Sequence, residues 1–362
     1  MQRRSFSRCF WFSSLAGLLS VLILSPLATS APNTSELTEP SARDRQITLA
    51  VVSLLGREHL STHELDDEIS QRAFQNFLKV LDPMKVYFYQ SDIDAFRNYE
   101  SRLDDMARRG DISFAYLVFK TFLERVDERV ATIDGLLAMD HDFTVDEQMV
   151  VDRDEARYAV TVEEARERWR KRIKYDLLVL MADDTEGKEA IERLRRRYHS
   201  FASRMHQTDG DELLEMYLTS LTMAYDPHTS YMSPDTLENF EIMMRLNLEG
   251  VGASLQSDDG YTVVKKIIPG GAADRQGDLK VEDRIVGVGQ GDDGEIVDVV
   301  DMKLSDVVDL IRGKRGTVVR LEVTPADSPS RKVIRIVRDR IELTDSEAKG
   351  KVFEVGRRPD NG

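Results

Sequence analysis

The residues in this chain best suited to chemistry act through the backbone. Leu248-Glu249-Gly250-Val251-Gly252-Ala253-Ser254-Leu255-Gln256 is a Gly-x-Gly loop running into an apolar strand. Two glycines flanking one apolar residue let the chain turn sharply with its N–H groups converging. Such a nest binds anions, including the carboxylate at a chain terminus. The strand behind it, Ala253, Ser254 and Leu255, could take the rest of that terminus as an added β-strand. Reactive side chains are sparse by comparison. There is no Gly-x-Ser-x-Gly, and Ser346 near Lys349 lies in a polar stretch without the apolar shielding that a lysine base needs. His59 and His63 are four apart, but Ser61-Thr62 between them reads as a helix end, so no metal site is assigned. No catalytic residue and no cofactor is expected.

The elements that must position this loop differ on its two sides. Upstream, from Gln46 to Met244, apolar residues recur at spacings of three and four: Ile47, Ala50, Val51, Leu54 and Leu55, then Ile69, Ala73, Phe77 and Leu81. Ser91 with Asp94, Thr161 with Glu164, and Ser233 with Pro234 mark helix starts, and Asp82-Pro83 and Asp226-Pro227 mark ends. Long helices are expected over Phe114 to Leu137, through Trp169, Ile173 and Leu177, and over Glu186 to His206. No repeat period is present, which excludes a solenoid and leaves an irregular helical domain. Arg193, Arg195, Arg196 and Arg197 read as a solvated helix face, and Met243-Met244 as core.

After Leu246 the pattern becomes short strands. Gly252 to Gln256 and Tyr261 to Ile268 flank the turn Ser257-Asp258-Asp259-Gly260, and a short helix follows Pro269-Gly270-Gly271-Ala272-Ala273. Asp283 to Val288, Glu295 to Val300 and Thr317 to Thr324 read as further strands, with a helix over Leu304 to Ile311. The fold class is thus α+β multidomain, an irregular all-α domain followed by a small β-barrel or sandwich module with two helices. The lack of helices between the strands excludes a doubly wound sheet.

This module is similar to a bacterial PDZ domain. The match rests on Pro269-Gly270-Gly271-Ala272-Ala273, Asp283-Arg284-Ile285-Val286-Gly287-Val288 and Leu304-Ser305-Asp306-Val307-Val308, in that order. The resemblance implies a groove between the receiving strand and the second helix. Backbone N–H groups around Gly250, Val251 and Gly252 would hold a terminal carboxylate, Ala253, Ser254 and Leu255 would pair with the peptide, and Val251, Leu255, Val307 or Ile311 would line the pocket for the last side chain.

Leu81-Asp82-Pro83-Met84-Lys85-Val86-Tyr87-Phe88-Tyr89-Gln90-Ser91-Asp92-Ile93 and Asp226-Pro227-His228-Thr229-Ser230-Tyr231 extend the likeness, resembling signature stretches of the tail-specific, or carboxy-terminal processing, proteases. That family is implied to cleave with a serine nucleophile and a lysine base, in a core after the PDZ module. The expected organisation is a signal peptide over 1–30, a linker over 31–45, a helical domain over 46–236, a PDZ module over 237–325, and the start of a truncated core over 326–362. Within that last stretch Val352 to Val355 is expected as the first strand. The expected partners are C-terminal tails of proteins. The alternative is a non-catalytic PDZ adaptor.

Charge and composition bound the remaining possibilities. The 362 residues are 41% hydrophobic and 32% charged with a formal charge of −15, which argues against a nucleic-acid binder. Arg3, Arg4 and Arg8 before the apolar run Leu15 to Leu24, and Ala28-Thr29-Ser30 after it, make a secretory signal peptide. Arg3-Arg4-Ser5-Phe6 loosely resembles a twin-arginine signal. Loss of that segment, with three arginines and no acids, takes the charge from −15 to −18. The only cysteine, Cys9, precedes the apolar run, so no lipid anchor is assigned and the mature chain has no thiol. An exported, periplasmic protein without a stable membrane anchor is expected, and the sequence carries no signal of oligomeric state.

With no shielded nucleophile, residues 31–362 are expected to show no peptidase activity towards a peptide ending in small apolar residues. Cleavage that Ser346→Ala abolishes would contradict this.

Overall fold

The centre of the helical half is a buried carboxylate. Asp82, 1% exposed, follows a helix and accepts backbone hydrogen bonds from Val86, Tyr87 and Phe88 at 2.9, 2.9 and 3.0 Å. Burial pushes its pKa up, against the opposing pull of those three donors. The loop it winds is then gripped from outside. The Arg129 guanidinium donates to the carbonyls of Val86 and Tyr87 and to the Tyr89 hydroxyl, and the Trp169 indole donates to Val86 O at 3.0 Å. One short stretch thereby joins three helices through its backbone.

The structure is a computed structural model and describes residues 37, 39–328, 330–343 and 350. Nine α-helices come first among the described residues: α1 (Ala42–Glu58), α2 (Asp67–Leu81), α3 (Gln90–Phe96), α4 (Leu103–Arg108), α5 (Ser113–Leu137), α6 (Val162–Ala182), α7 (Gly187–His206), α8 (Gly210–Thr222) and α9 (Pro234–Arg245). Their starts follow capping chemistry. Ser41 and Asp44 bond reciprocally at α1, as do Asp209 and Glu212 at α8, and Ser233 caps α9 with Pro234 inside its first turn. At α3 the outcome differs from the Ser91 start. The N-cap is Tyr89, two residues earlier, and the Asp92 carboxylate accepts the Tyr89 N–H at 2.9 Å. Apolar faces of α2, α4, α5 and α8 close one core around Phe74, Phe77, Phe114 and Tyr217, and α5, α6 and α7 close another around Trp169. No described helix is long and apolar enough to cross a membrane.

The β-rich half contains β1 (Asn247–Gly250), β2 (Ala253–Asp258), β3 (Tyr261–Ile267), α10 (Ala272–Gln276), β4 (Arg284–Gln290), β5 (Ile296–Asp298), α11 (Leu304–Ile311), β6 (Val318–Thr324), β7 (Lys332–Val337) and β8 (Asp339–Glu342). The main sheet is antiparallel in the order β2-β3-β4-β6-β7, with β5 on β4, and β1 pairs separately with β8. The stretch from Lys332 to Ile341 lies within the residues 326–362 expected to begin a core after the module, and here β7 pairs with β6, and β8 with the strand just before the glycine loop. The signal-peptide segment, Ser346, Lys349 and the strand expected over Val352 to Val355 lie outside the described residues.

The Asp226-Pro227-His228-Thr229 stretch ties the end of the helical half back to α1. Asp226 accepts from His228 N at 2.7 Å, Thr229 Oγ1 at 2.6 Å and His59 Nε2 at 2.7 Å. The hydrogen bond from Thr229, then that from His228, holds its carboxyl down at about 2. A carboxylate held below its ordinary 3.8 contributes its full stability above roughly pH 4 and loses it as the pH falls through about 2. Asp226→Asn is therefore expected to lower the urea midpoint clearly at pH 7 and by less at pH 3. An equal loss at both values would rule out the carboxylate as the source.

Candidate functional site

The loop between β1 and β2 is built from backbone in close contact with backbone. Gly252 has φ of +81°, and a Cβ there would lie 3.1 Å from Gly271 Cα and 3.0 Å from Ile341 Cδ1. A side chain on Gly271 would reciprocally stand 2.9 Å from Ile268 O. Only glycine meets both requirements at position 252, the left-handed conformation and the missing Cβ.

Polar groups of the loop are unequally committed. Ala273 N donates to Val251 O at 2.7 Å and Ile268 N to Gly252 O at 2.9 Å, so both carbonyls are taken. The N–H groups of Val251 and Gly252 have no hydrogen-bond partner among the described residues, although Gly250, Val251 and Gly252 are all buried. Backbone donors in protein interiors are nearly always paired, so two adjacent ones without a partner among the described residues set this loop apart. Cγ of Arg312 packs near Gly250, while its guanidinium donates to Asn239 Oδ1 at 2.9 Å.

Behind the loop, β2 is an edge strand. It pairs with β3 on one side and with no other strand among the described residues. Its burial alternates, with Ala253, Leu255 and Ser257 half-buried and Ser254, Gln256 and Asp258 exposed. The Ser254 side chain thus faces solvent, and only its backbone is available to a paired strand. α11 lies against β2, giving the groove its second wall.

The structure gathers Val251, Ala253, Leu255, Val307 and Ile311 in one apolar cluster, but unequally exposed. Val251, Val307 and Ile311 are 4%, 0% and 3% exposed and are core residues, whereas Leu255 and Ala253 are only partly covered. The half-buried apolar positions of the helix are Leu304, Val308 and Leu310, of which Leu304 and Val308 lie one turn apart on the same face. Spacing names Leu304, Val307, Val308 and Ile311, and only packing separates the two of these that face the core.

Arg338 was invisible from sequence and holds the groove's closed end. Its side chain is 4% exposed, and its guanidinium donates to Ile311 O at 2.8 Å, Leu310 O at 3.0 Å, Gln290 Oε1 at 2.7 Å, Thr317 Oγ1 at 3.0 Å and Val318 O at 3.2 Å. It caps the last carbonyls of α11, where a cation is favoured. Burial lowers its pKa. The one available signal was a cation just past an apolar strand. No group of metal-ligating side chains occurs among the described residues, and His59 and His63 instead face Asp226 and Asp66.

Comparison with known proteins divides the chain the same way. Residues 51–235 match the family model of the tail specific protease N-terminal domain, and residues 240–324 match that of the PDZ domain. A tail-specific protease of Haemophilus influenzae is 34% identical over 342 residues, covering 94% of this chain and 49% of that protein. Carboxy-terminal processing protease CtpA of Bacillus subtilis is 30% identical over 142 residues, covering 39% of this chain and 29% of that one. The crystallised PDZ domain of a carboxy-terminal protease from Vibrio cholerae, in complex with peptide, shares 46% identity at a TM-score of 0.26, covering 27% of this chain and all of that one. The chain spans about half the length, or less, of these two curated relatives.

Two substitutions test the site's construction. Gly252→Ala is expected to cost at least about 1–2 kcal/mol from the left-handed backbone alone. Arg338→Met, which strips hydrogen bonds from buried acceptors at the end of α11, is expected to cost about 3 kcal/mol. Urea unfolding measures both, and a change below about 0.5 kcal/mol in either would contradict the packing described.

Proposed function

Since this chain belongs to the tail-specific protease family, carrying that family's N-terminal domain and a PDZ domain, we propose that it is the substrate-recognition portion of an exported serine-type member that binds apolar protein C-termini. The observation that carries this reading is the pairing of an unfilled strand edge with a glycine loop holding two uncommitted amides. The amides of Val251 and Gly252 would receive the terminal carboxylate. The backbone of Ala253, Ser254 and Leu255 would hydrogen-bond the last residues as an added antiparallel strand. Leu255 and Val308 would bracket the last side chain, with Val251, Val307 and Ile311 forming the floor beneath it.

The division of labour follows from the chemistry. Main-chain bonding gives affinity without regard to sequence. The carboxylate requirement restricts binding to chain ends, and the apolar pocket selects among them. Cleavage by a serine nucleophile and a lysine base is the reaction this recognition would serve, and no residue of the present chain is assigned either role. Export is supported by the basic, apolar and small-residue pattern of residues 1–30.

A peptide ending in small apolar residues is expected to bind with a Kd on the order of micromolar, and its C-terminal amide at least tenfold more weakly. Isothermal titration of both forms decides the matter. Equal affinity would remove the carboxylate from the mechanism and with it the assignment of the glycine loop.

A further inference from the structure

The groove does not end in open solvent. At the end of β2 and the start of α11 it meets the helical half, which is fastened there by polar contacts. Lys303, just before α11, bonds Asp209 at 2.7 Å and Glu212 at 2.8 Å, the two residues of the capping box of α8. Arg196 of α7 pairs with Asp259 in the β2–β3 turn at 2.7 Å, and Gln207 donates to Asp301 O at 2.8 Å. Burial lowers the Lys303 pKa, but the two carboxylates outweigh it and hold it above its ordinary value.

Between these fastenings lies a cavity of about 650 Å³. Ser257 of β2 and Leu304 of α11 form one side, so its wall is the continuation of the groove's own two walls. Val80 of α2, Met205 of α7 and Met216 of α8 form the other. Methionine side chains adapt to differing apolar shapes, and Val80 is half exposed at 49%.

We propose that this cavity is a second recognition subsite, taking an apolar side chain of the bound tail about five or six residues from its end. The inference rests on the groove reading above and extends it into the helical half. With the carboxylate at Val251 and Gly252, the terminal residue stands opposite Ala253, and an antiparallel strand advances one residue per residue of β2. Ser257 is four positions further on, so the fifth residue from the end stands beside the cavity. Successive side chains of an extended strand point to opposite faces, so one of the fifth and sixth enters the space whose apolar lining is Val80, Met205, Met216 and Leu304. Substrate choice would then depend on upstream sequence as well as on the terminus.

The test uses the full chain and two peptides, acetyl-Ser-Ala-Val-Ala and a decapeptide with the same last four residues and leucine at the fifth and sixth positions from the end. Fluorescence anisotropy is expected to give at least tenfold tighter binding of the decapeptide. Serine in place of both leucines should remove the gain, as should Val80→Trp, which fills the cavity mouth, while the tetrapeptide keeps its affinity. Equal binding of tetrapeptide and decapeptide, or a gain that survives both changes, overturns the subsite and leaves the groove standing. If neither peptide binds more tightly than its amide, the groove reading and the subsite fall together.

Discussion

Two glycine backbones in contact set the geometry of the recognition end. Gly252 can reach within van der Waals range of Gly271 only because neither carries a side chain. That approach lets Ala273 and Ile268 donate to the carbonyls of Val251 and Gly252. With the acceptors so engaged, the loop turns its donors the other way. The anion binding proposed for it would then be a by-product of how its carbonyls are satisfied. β8 completes the arrangement, since it pairs with β1 and lays Ile341 against Gly252.

The second wall of the groove depends on a buried cation with no carboxylate partner among the described residues. Arg338 satisfies its donors with carbonyls and neutral side-chain oxygens, two of them at the end of α11. Removing an arginine from water is costly, and five hydrogen bonds offset that cost only while the helix end stays where it is. The same guanidinium therefore fixes the helix that faces β2. A comparable logic holds the helical half, where Asp82 gathers three amides and Arg129 and Trp169 clasp the loop so formed.

Contacts joining the two halves are of a different kind. Lys303 with Asp209 and Glu212, Arg196 with Asp259, and Gln207 with Asp301 are polar and partly exposed. Exposed ion pairs contribute little each, typically under about 1 kcal/mol. Their effect is to set position, holding α7 and α8 beside the open end of the groove.

Local chemistry was legible in the amino-acid order. The caps at Thr161 and Ser233, the periodicity of α2 and α5, and the turn between β2 and β3 all depend on residues a few positions apart. Gly252 could be read as a turn glycine because a left-handed backbone that is also in close contact with another chain segment leaves no room for a Cβ. Tertiary structure alone decided the rest. Leu304, Val307, Val308 and Ile311 are equivalent by spacing, and burial against the sheet at β2 and β4 made Val307 and Ile311 core. Lys332 to Ile341, within the residues expected to begin a core, pairs as β7 and β8 with β6 and β1. Arg338 was one cation among many until folding brought the end of α11 to it. Long-range partners of this kind leave no trace in local pattern, since their energy exists only once the distant groups have met.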